Sequence, residues 1–220
     1  MDVPIVAGLL DQVVSLPYQG IIDYEVALAM QRETHQEVLQ GLRPNTLLLL
    51  EHPSVFTAGR RTQIEDRPTD GTRVIDVDRG GKITWHGPGQ LVGYPIVKLA
   101  KPTELVGFVR VVESALIKIS REFGIDAQCF SGRSGVWIRD EKGDRKISAI
   151  GIRVARGVTM HGFALNVCPD LKPFTQIIPC GIQDADVTSM QVELGRDISI
   201  EEVIPVVKKY MLEALKEVST

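Results

Sequence analysis

A glycine-rich, basic stretch, Arg79–Gln90, carries the residue types best suited to holding a ligand. Its glycines let the backbone approach a bound molecule closely, because no Cβ intervenes. The spacing of Gly87, Gly89 and Gly93 differs from the dinucleotide-binding pattern, and the Gly-Lys-Ser/Thr sequence of a P-loop does not follow. A hairpin with a Gly-Pro-Gly turn is the structural alternative. The stretch therefore predicts either such a turn or a rigid, glycine-lined binding loop.

Cys180 is the candidate nucleophile, since it stands between Pro179 and Gly181 on a predicted exposed turn. A thiol with an ordinary pKa of about 8.5 needs help to become the attacking thiolate. A lysine can help, because its charge stabilises a thiolate and its neutral amine accepts a proton. Lys146 opens a largely apolar strand, and a solvated lysine at a strand end is the alternative interpretation. Sequence spacing does not decide whether Lys146 meets Cys180.

Histidines are the other possible helpers of a nucleophilic cysteine. His35 lies on a predicted helix and is expected at the surface. The remaining candidates are His52 before a proline, His86 in the glycine-rich stretch and His161 before a Gly-Phe-Ala sequence.

The composition is typical of a soluble globular protein and predicts a single domain over residues 1–220. A net charge of −3 argues against a general nucleic-acid binder. Three cysteines without a Cys-x-x-Cys pair indicate neither a disulfide framework nor a zinc site, and Cys129 and Cys168 are predicted to be buried. We find no signal-peptide pattern and no membrane-spanning apolar run, so we expect a cytoplasmic protein without membrane contact.

Strands and amphipathic helices are predicted to surround these residues. Asp23 is expected to cap a helix that ends near Gly41. The wholly apolar run Leu47–Leu50 predicts a strand buried on both faces. Further strands are predicted near 13–16, 54–57, 73–77, 82–85, 135–138, 146–154 and 158–167.

Two later helices complete the pattern. An apolar stripe over 105–123 predicts a long helix, with Thr103 and Gly124 as its caps. Ser199 opens a segment with capping-box spacing, but Pro205 predicts a kink or a later start for that helix. Strands, a long helix, further strands and a final helix indicate the α+β class, with a mixed sheet flanked by helices.

Four separated motifs occur in order along the chain. They are Arg79-Gly-Gly-Lys-Ile-Thr-Trp-His86 with Gly-Pro-Gly-Gln90, Lys146-Ile-Ser-Ala-Ile-Gly151, His161-Gly-Phe-Ala-Leu-Asn166 and Pro179-Cys180-Gly181. Together they resemble the octanoyltransferase (LipB) family of lipoate biosynthesis, and its actinobacterial members most. The resemblance runs from about Tyr24 to Gly195.

The resemblance implies a biotin/lipoate protein ligase-like fold, in which a mixed sheet and flanking helices surround an acyl tunnel. It implies that Cys180 forms an acyl-thioester and that Lys146 lowers the thiol pKa and acts as acid and base. It implies neither a cofactor nor a metal. The substrate-binding residues that it implies are Arg79, Gly80, Gly81, Lys82, Ile83, Thr84, Trp85, His86, Ala149, Ile150, Gly151, Gly162, Phe163 and Ala164.

The implied activity moves an octanoyl group from octanoyl-acyl carrier protein to lysines of lipoyl domains. The implied acceptors are lipoyl domains of 2-oxoacid dehydrogenase complexes and the glycine cleavage H protein. We expect Ile83, Trp85, Ile150 and Phe163 to line the acyl channel. Carrier proteins are acidic, so an arginine docking rim is a further hypothesis, with simple solvation as its alternative. The rim would comprise Arg60, Arg61, Arg145, Arg153 and Arg156.

Two rival functions remain at this point. An ATP-dependent lipoate or biotin ligase would have the same fold, and Gly132–Trp137 faintly echoes a ligase loop. Such a ligase has no need of a cysteine–lysine pair. A non-catalytic acyl-binding module would bind octanoyl groups reversibly, without an adduct or turnover.

Overall fold

The computed structural model describes residues 12–101, 104–177 and 185–220, and the predicted cap Thr103 and nucleophile Cys180 lie outside these ranges. The helices are α1 (Tyr24–Gln40), α2 (Leu105–Glu122), α3 (Met190–Leu194) and α4 (Ile200–Lys216). The strands are β1 (Val13–Ser15), β2 (Asn45–Leu50), β3 (Val55–Ala58), β4 (Val74–Asp76), β5 (Ile83–His86), β6 (Gln90–Ile96), β7 (Gln128–Phe130), β8 (Arg133–Asp140), β9 (Gly143–Ala155), β10 (Val158–Asn166) and β11 (Asp186–Val187). Short 3-10 turns cover Ile64–Asp66 and Lys172–Gln176.

Most of the described strands form one mixed sheet in the order β1-β2-β6-β10-β9-β8-β7. β1 runs parallel to β2, the following neighbours pair antiparallel, and β11 runs parallel to β9. A smaller sheet has the order β4-β3-β5. Helices α1, α2 and α4 pack against the large sheet. The predicted α+β class, with a mixed sheet and flanking helices, is confirmed.

Strand β2 separates two apolar clusters. Leu47 and Leu49 belong to the main core, together with residues of α2 and α4, whereas Leu48 and Leu50 pack in a second cluster with α1. All four side chains are at most 1% exposed. The prediction of a strand buried on both faces is confirmed.

Helix α1 has the predicted caps. The Asp23 carboxylate accepts hydrogen bonds from the backbone N–H groups of Glu25 (2.9 Å) and Val26 (3.4 Å), and Gly41 ends the helix with φ of 72°. The expectation that His35 lies at the surface is wrong. Its Nε2 atom lies 3.1 Å from the carbonyl oxygen of Ala155, and burial lowers its pKa.

Helices α2 and α4 pack together over the main core. The middle of the α2 stripe is buried as predicted, but Leu105 at its start is 38% exposed. Gly124, with φ of 85°, follows the last turn of the helix. In α4, the Ser199 hydroxyl accepts a hydrogen bond from the Glu202 N–H (3.3 Å). The Glu202 carboxylate binds Arg196 instead of completing a capping box. A later start at Pro205 is not seen, since α4 begins at Ile200 and includes the proline.

The Gly-Pro-Gly segment forms a turn, in which the Gln90 N–H donates to the Gly87 carbonyl (3.1 Å), but this turn does not close a hairpin. β5 belongs to the small sheet and β6 to the large one, so the segment is a crossing between sheets. Its Gly89 has φ of 84°, and the Gly89 N–H donates a 2.6 Å hydrogen bond to the Glu51 carboxylate. A left-handed residue at the crossing favours glycine.

The two described cysteines differ from each other. Cys168 is partly buried against the main core, close to its predicted setting. Cys129 is exposed, so the prediction that it is buried is wrong: it lies on β7, at the edge of the sheet. Across the described ranges, no helix has the length and apolar character to cross a membrane, and no cluster of three potential metal ligands occurs.

Candidate active site

A cavity of about 250 Å³ lies where the Arg79–His86 segment crosses strands β9 and β10. Three of the residues predicted to bind substrate, Gly80, Ile83 and Trp85, do not line this cavity. The predicted catalytic residue Lys146 does line it. The predicted residues in its wall are Arg79, Gly81, Lys82, Thr84, His86, Lys146, Ala149, Ile150, Gly151, Gly162, Phe163 and Ala164. The wall also contains His161, a candidate helper of the cysteine, and Arg61 of the hypothetical docking rim. Wall residues for which the sequence predicted no role include Tyr24, Val92 and Tyr94.

Strand alternation explains why Ile83 and Trp85 lie away from the cavity. Thr84 and His86 face the cavity, so their neighbours on β5 face the other way. Ile83 and Trp85 pack there in a third apolar cluster with Phe174, and the Trp85 indole N–H donates to the Ser54 hydroxyl (2.9 Å). The structure therefore places two of the four expected channel residues, Ile150 and Phe163, in the cavity wall.

The glycine-rich segment lies directly on β9. The Gly80 N–H donates to the Ile152 carbonyl (3.1 Å). A Cβ on Gly151 would come within 2.9 Å of Arg79 Cδ and 3.1 Å of the Gly80 carbonyl oxygen. The first of these contacts is shorter than real Cβ atoms show and the second is unusually tight, so glycine at Gly151 allows the segment to form this wall of the cavity.

The buried guanidinium of Arg79 holds the segment in shape. Its Nη2 donates to the carbonyl (2.8 Å) and the hydroxyl (3.0 Å) of Thr57, while its Nη1 donates to the carbonyls of Lys82 (2.7 Å) and Gly80 (3.0 Å). The planar fork of an arginine suits several fixed carbonyls better than a lysine would. Nearby, the Lys82 ammonium lies 3.0 Å from the buried carboxylate of Asp66. The loop is therefore rigid before any ligand binds.

A β-bulge places Lys146 on the cavity face of the sheet. β8 and β9 shift register between Val136 and Trp137, so that Val136 pairs with Ser148 but Trp137 pairs with Lys146. Beyond the bulge, Gly151 lines the cavity and Ile152 packs in the main core. Unbroken alternation would put Lys146 on the same face as Ile152. The extra residue therefore turns the lysine towards the cavity, as bulges near active sites often do.

Lys146 is only 6% exposed, so it is not the solvated strand-end lysine of the alternative interpretation. Strand β11 runs beside it: Val187 is its register partner, and the Thr188 N–H donates to the Lys146 carbonyl (2.9 Å). Cys180 lies outside the described residues. Strand β11, which follows Cys180 in the chain, is thus hydrogen-bonded to the backbone of Lys146.

A chain of buried hydrogen bonds connects the cavity to β11. His86 Nδ1 donates to the Gln90 side-chain oxygen (2.7 Å), and the Gln90 amide donates to Asn166 (2.9 Å). The Asn166 amide then donates to the Thr188 carbonyl (2.9 Å). Burial, followed by the neighbouring His52, lowers the pKa of His86 to about 3. His86 is therefore neutral near pH 7, and the network fixes its orientation.

A pH-dependent loss of stability follows from the buried His86. In the unfolded chain it takes up a proton below about pH 6.5, whereas the folded protein holds it neutral down to about pH 3. The free energy of unfolding is therefore unaffected by protonation of His86 above about pH 6.5. It falls as the pH drops from 6.5 towards 3, because only the unfolded chain binds the proton. By pH ~5, His86→Gln should lose about 2 kcal/mol less unfolding free energy than the parent protein does. Urea unfolding of both proteins across this range would measure the difference, and parallel curves would contradict it.

Asp78 is a site residue that sequence reasoning missed, because it lies in a loop just before the recognised motif. Its carboxylate accepts a 2.8 Å hydrogen bond from His161 Nε2 and forms an ion pair with Arg153. His161 is a non-glycine residue with φ of 58°, and burial lowers its pKa despite the adjacent carboxylate. Neutral His161 therefore forms part of the wall with its side chain held by Asp78.

The arginines of the hypothetical docking rim have different settings. Arg145 is 11% exposed at its side chain and binds the carboxylates of Asp140 and Glu193, so it does not fit an open rim. Arg153 binds Asp78 as described, and Arg156 donates to Gln36 (3.0 Å). The exposed members next to the cavity are Arg60 and Arg61, of which Arg61 reaches the wall.

Comparison with known proteins identifies the family to which these features belong. The family described as "Lipoyl protein ligase A/B catalytic domain" matches residues 23–212. An octanoyltransferase of Salinispora arenicola (strain CNS-205) is 56% identical over 194 residues, which cover 87% of this chain and 91% of the relative. An octanoyltransferase of Rhodococcus opacus (strain B4) is 57% identical over 208 residues, covering 92% and 81%.

Solved structures share the fold at much lower sequence identity. Lipoate-protein ligase A bound with ATP superimposes with a TM-score of 0.72 at 16% identity, covering 93% of this chain and 85% of that one. A bipartite lipoate protein ligase from Thermoplasma acidophilum gives a TM-score of 0.70 at 16% identity, covering 93% and 83%. The fold is thus that of the lipoate protein ligases, and at more than half sequence identity to curated relatives the chain belongs to the octanoyltransferase family.

Proposed function

We propose that this chain transfers an octanoyl group from a carrier-protein thioester to a lysine side chain of a lipoyl domain, the first step of protein lipoylation from an endogenous acyl group. Residues 1–220 would act as one catalytic domain. The observation that carries the proposal is Lys146, which is buried and turned by a bulge onto the face of an acyl-sized cavity. Family membership supports the same reaction.

Two acyl exchanges make up the proposed reaction. In the first, the Cys180 thiolate attacks the donor thioester, and the carrier thiol leaves with a proton, so that one thioester replaces another. In the second, the acceptor amine attacks the enzyme thioester, an amide forms and the Cys180 sulfur leaves. Cysteine suits both steps, because its thiolate is a strong nucleophile and a good leaving group.

Lys146 is proposed to handle the charges and protons of this cycle. As an ammonium it stabilises the thiolate, and as an amine it accepts the proton that the attacking acceptor lysine must lose. No ATP is required, since the donor thioester is already activated and its conversion to an amide is downhill.

The proposed binding roles follow the cavity wall. Phe163, Ile150 and Ala164 supply apolar surface for the acyl chain, and the Arg79 clamp holds the loop that covers it. A reduced catalytic thiol fits a cytoplasmic location, where cysteines are kept reduced.

The proposed donor is an octanoyl-acyl carrier protein, and the proposed acceptors are the lipoyl domains of 2-oxoacid dehydrogenase complexes and the glycine cleavage H protein. Exposed Arg60 and Arg61 beside the cavity support docking of an acidic carrier protein. Such docking should weaken as salt concentration rises, because salt screens exposed charges.

Intact-mass spectrometry of the acid-quenched enzyme tests the proposal. After incubation with octanoyl-acyl carrier protein and without acceptor or ATP, the protein should gain the mass of one octanoyl group, labile to hydroxylamine. Cys180→Ala should gain none, while Cys129→Ala, at the exposed edge cysteine, should react as the parent does. Absence of an adduct in the parent protein would overturn covalent catalysis. A strict requirement for ATP would instead favour a lipoate ligase, the activity of the solved structures that share this fold.

A further inference from the structure

The indole of Trp137 is the closest aromatic partner that the structure gives to Lys146. The two residues face each other across β8 and β9, and the Lys146 Nζ atom lies 4.5 Å from the ring centroid. Both are deeply buried, at 1% and 6% exposure. An ammonium over the face of an indole is attracted by the negative face of the ring, and the attraction is largest when water is excluded.

No carboxylate forms an ion pair with Lys146 among the residues that the structure describes. Two buried or half-buried carboxylates in this part of the fold have other partners: Glu113 accepts from the Gly135 N–H (2.9 Å) and pairs with Arg110, and Glu193 pairs with Arg145. Among the described residues, the indole face of Trp137 is therefore the contact that stabilises a positive charge on Lys146. Arg133 lies above the same ring, 5.8 Å from the centroid.

The indole N–H of Trp137 is buried and has no acceptor among the described residues. Burying a polar group without a hydrogen bond costs free energy, so packing alone would be better served by phenylalanine or leucine at this position. What tryptophan offers beyond those residues is the strongest ring face for a cation. The unpartnered N–H and the position of Lys146 over the ring thus both indicate that the Trp137 indole serves to bind the lysine cation.

The backbone before Trp137 leaves room for this contact. Gly135 has φ of 105°, and a Cβ there would come 2.5 Å from the Ser148 carbonyl oxygen and 3.5 Å from Lys146 Cε. Glu113 fixes the Gly135 N–H from helix α2. The bulge, the glycine and the carboxylate together hold the tryptophan against the lysine stem.

We propose that Trp137 is a positioning residue for acyl transfer: its indole face holds the Lys146 ammonium at the cavity wall, where the positive charge stabilises the attacking thiolate. This inference rests on the proposed function for its effect on rate. The contact between the Trp137 ring and the Lys146 ammonium is observed in the structure and does not depend on the proposed function. Loss of the ring face should therefore slow formation of the acyl-enzyme more than it weakens donor binding.

Fluorinated tryptophans at position 137 test the electrostatic part, because fluorine weakens the negative ring face with little change of shape. The rate of acyl-enzyme formation from octanoyl-acyl carrier protein should fall stepwise from tryptophan through 5-fluoro- to trifluorotryptophan, by about threefold to tenfold in total. The KM for the donor should stay unchanged. Trp137→Phe should retain part of the rate that Trp137→Leu loses. Fluorinated phenylalanine at Phe123, which packs against the main core at the end of α2, is the control and should leave the rate unchanged.

Proton NMR separates this inference from the proposed function. The ε-methylene protons of Lys146 should resonate upfield of those of other lysines because of the ring current, and the shift should disappear in Trp137→Leu. An ordinary chemical shift in the parent protein, or equal rates across the fluorinated series, would overturn the positioning role. If the shift is present but the parent protein forms no acyl-enzyme, the contact holds, and both the proposed function and the catalytic role of Trp137 fail.

Discussion

Lys146→Gln is expected to slow acyl-enzyme formation by at least about a hundredfold, because the variant has neither the cation that stabilises the thiolate nor a group that carries the proton. The fold should be retained, since glutamine fits the space of the lysine stem and the removed charge has no ion-pair partner among the described residues. Single-turnover mixing with octanoyl-acyl carrier protein, quenched in acid and read by intact mass, measures this rate.

Lys142→Gln is the matched control for this prediction, since Lys142 lies exposed at the tip of the β8–β9 hairpin. It should react like the parent protein. Lys146→Arg separates the two roles of the lysine, because arginine keeps the charge but stays protonated. It should restore part of the acylation rate but little of the transfer to a lipoyl-domain lysine. A Lys146→Gln rate within tenfold of the parent would refute the assignment.

Gly162→Ala is expected to lower the free energy of unfolding by about 3 kcal/mol, the second large effect that the structure predicts. A Cβ at this position would lie 2.0 Å from the Gly93 carbonyl oxygen and 2.6 Å from Pro95 Cδ. Both belong to the neighbouring strand β6, so the backbone of the central sheet would have to shift. The melting temperature should fall by roughly 6–12 °C for a chain of this size. Calorimetry or urea unfolding would measure the loss.

Gly107→Ala makes the same chemical change in a setting without that constraint. Gly107 lies in α2, and the nearest atoms to an added Cβ would be those of Glu104, at 3.8 Å. Alanine in a helix is favoured over glycine by up to about 1 kcal/mol, so this variant should match or exceed the parent in stability. Equal losses in both variants would show that the close approach of β6 and β10 is not the cause.

Local signals in the sequence predicted the three long helices α1, α2 and α4, but not the short α3. Asp23 and Gly41 mark the ends of α1 because each satisfies a backbone requirement at its own position. The stripe of α2 needs only one buried face, which its spacing encodes. The run Leu47–Leu50 predicted a fully buried strand, and the apolar clusters on its two faces account for it. In each case the cause lies within a few residues of the signal.

The site depends on pairings between distant segments, which a single sequence does not encode locally. His35 is buried against the end of β9, where its ring lies beside the Ala155 carbonyl, a partner far along the chain. Arg145 was expected in a docking rim, but Asp140 and Glu193 hold it. The resemblance predicted the motif 79–86 as one block, whereas the alternation of β5 sends Ile83 and Trp85 to another cluster. The roles of Cys180 and Lys146 came from the resemblance and stay predictions.

The bulge in β9 has a consequence for the evolution of this sheet. Loss of the one extra residue between Lys146 and Ala149 would remove the bulge but leave the lysine opposite Trp137 on the cavity side, because regular alternation would then apply. Insertion of one further residue at this point, unless a second bulge absorbed it, would instead turn the lysine towards the apolar side. An alignment with a relative that lacks the bulge therefore needs a one-residue gap in this interval: without the gap it would equate residues on opposite faces of the sheet, and lysines matched in that way need not share a role.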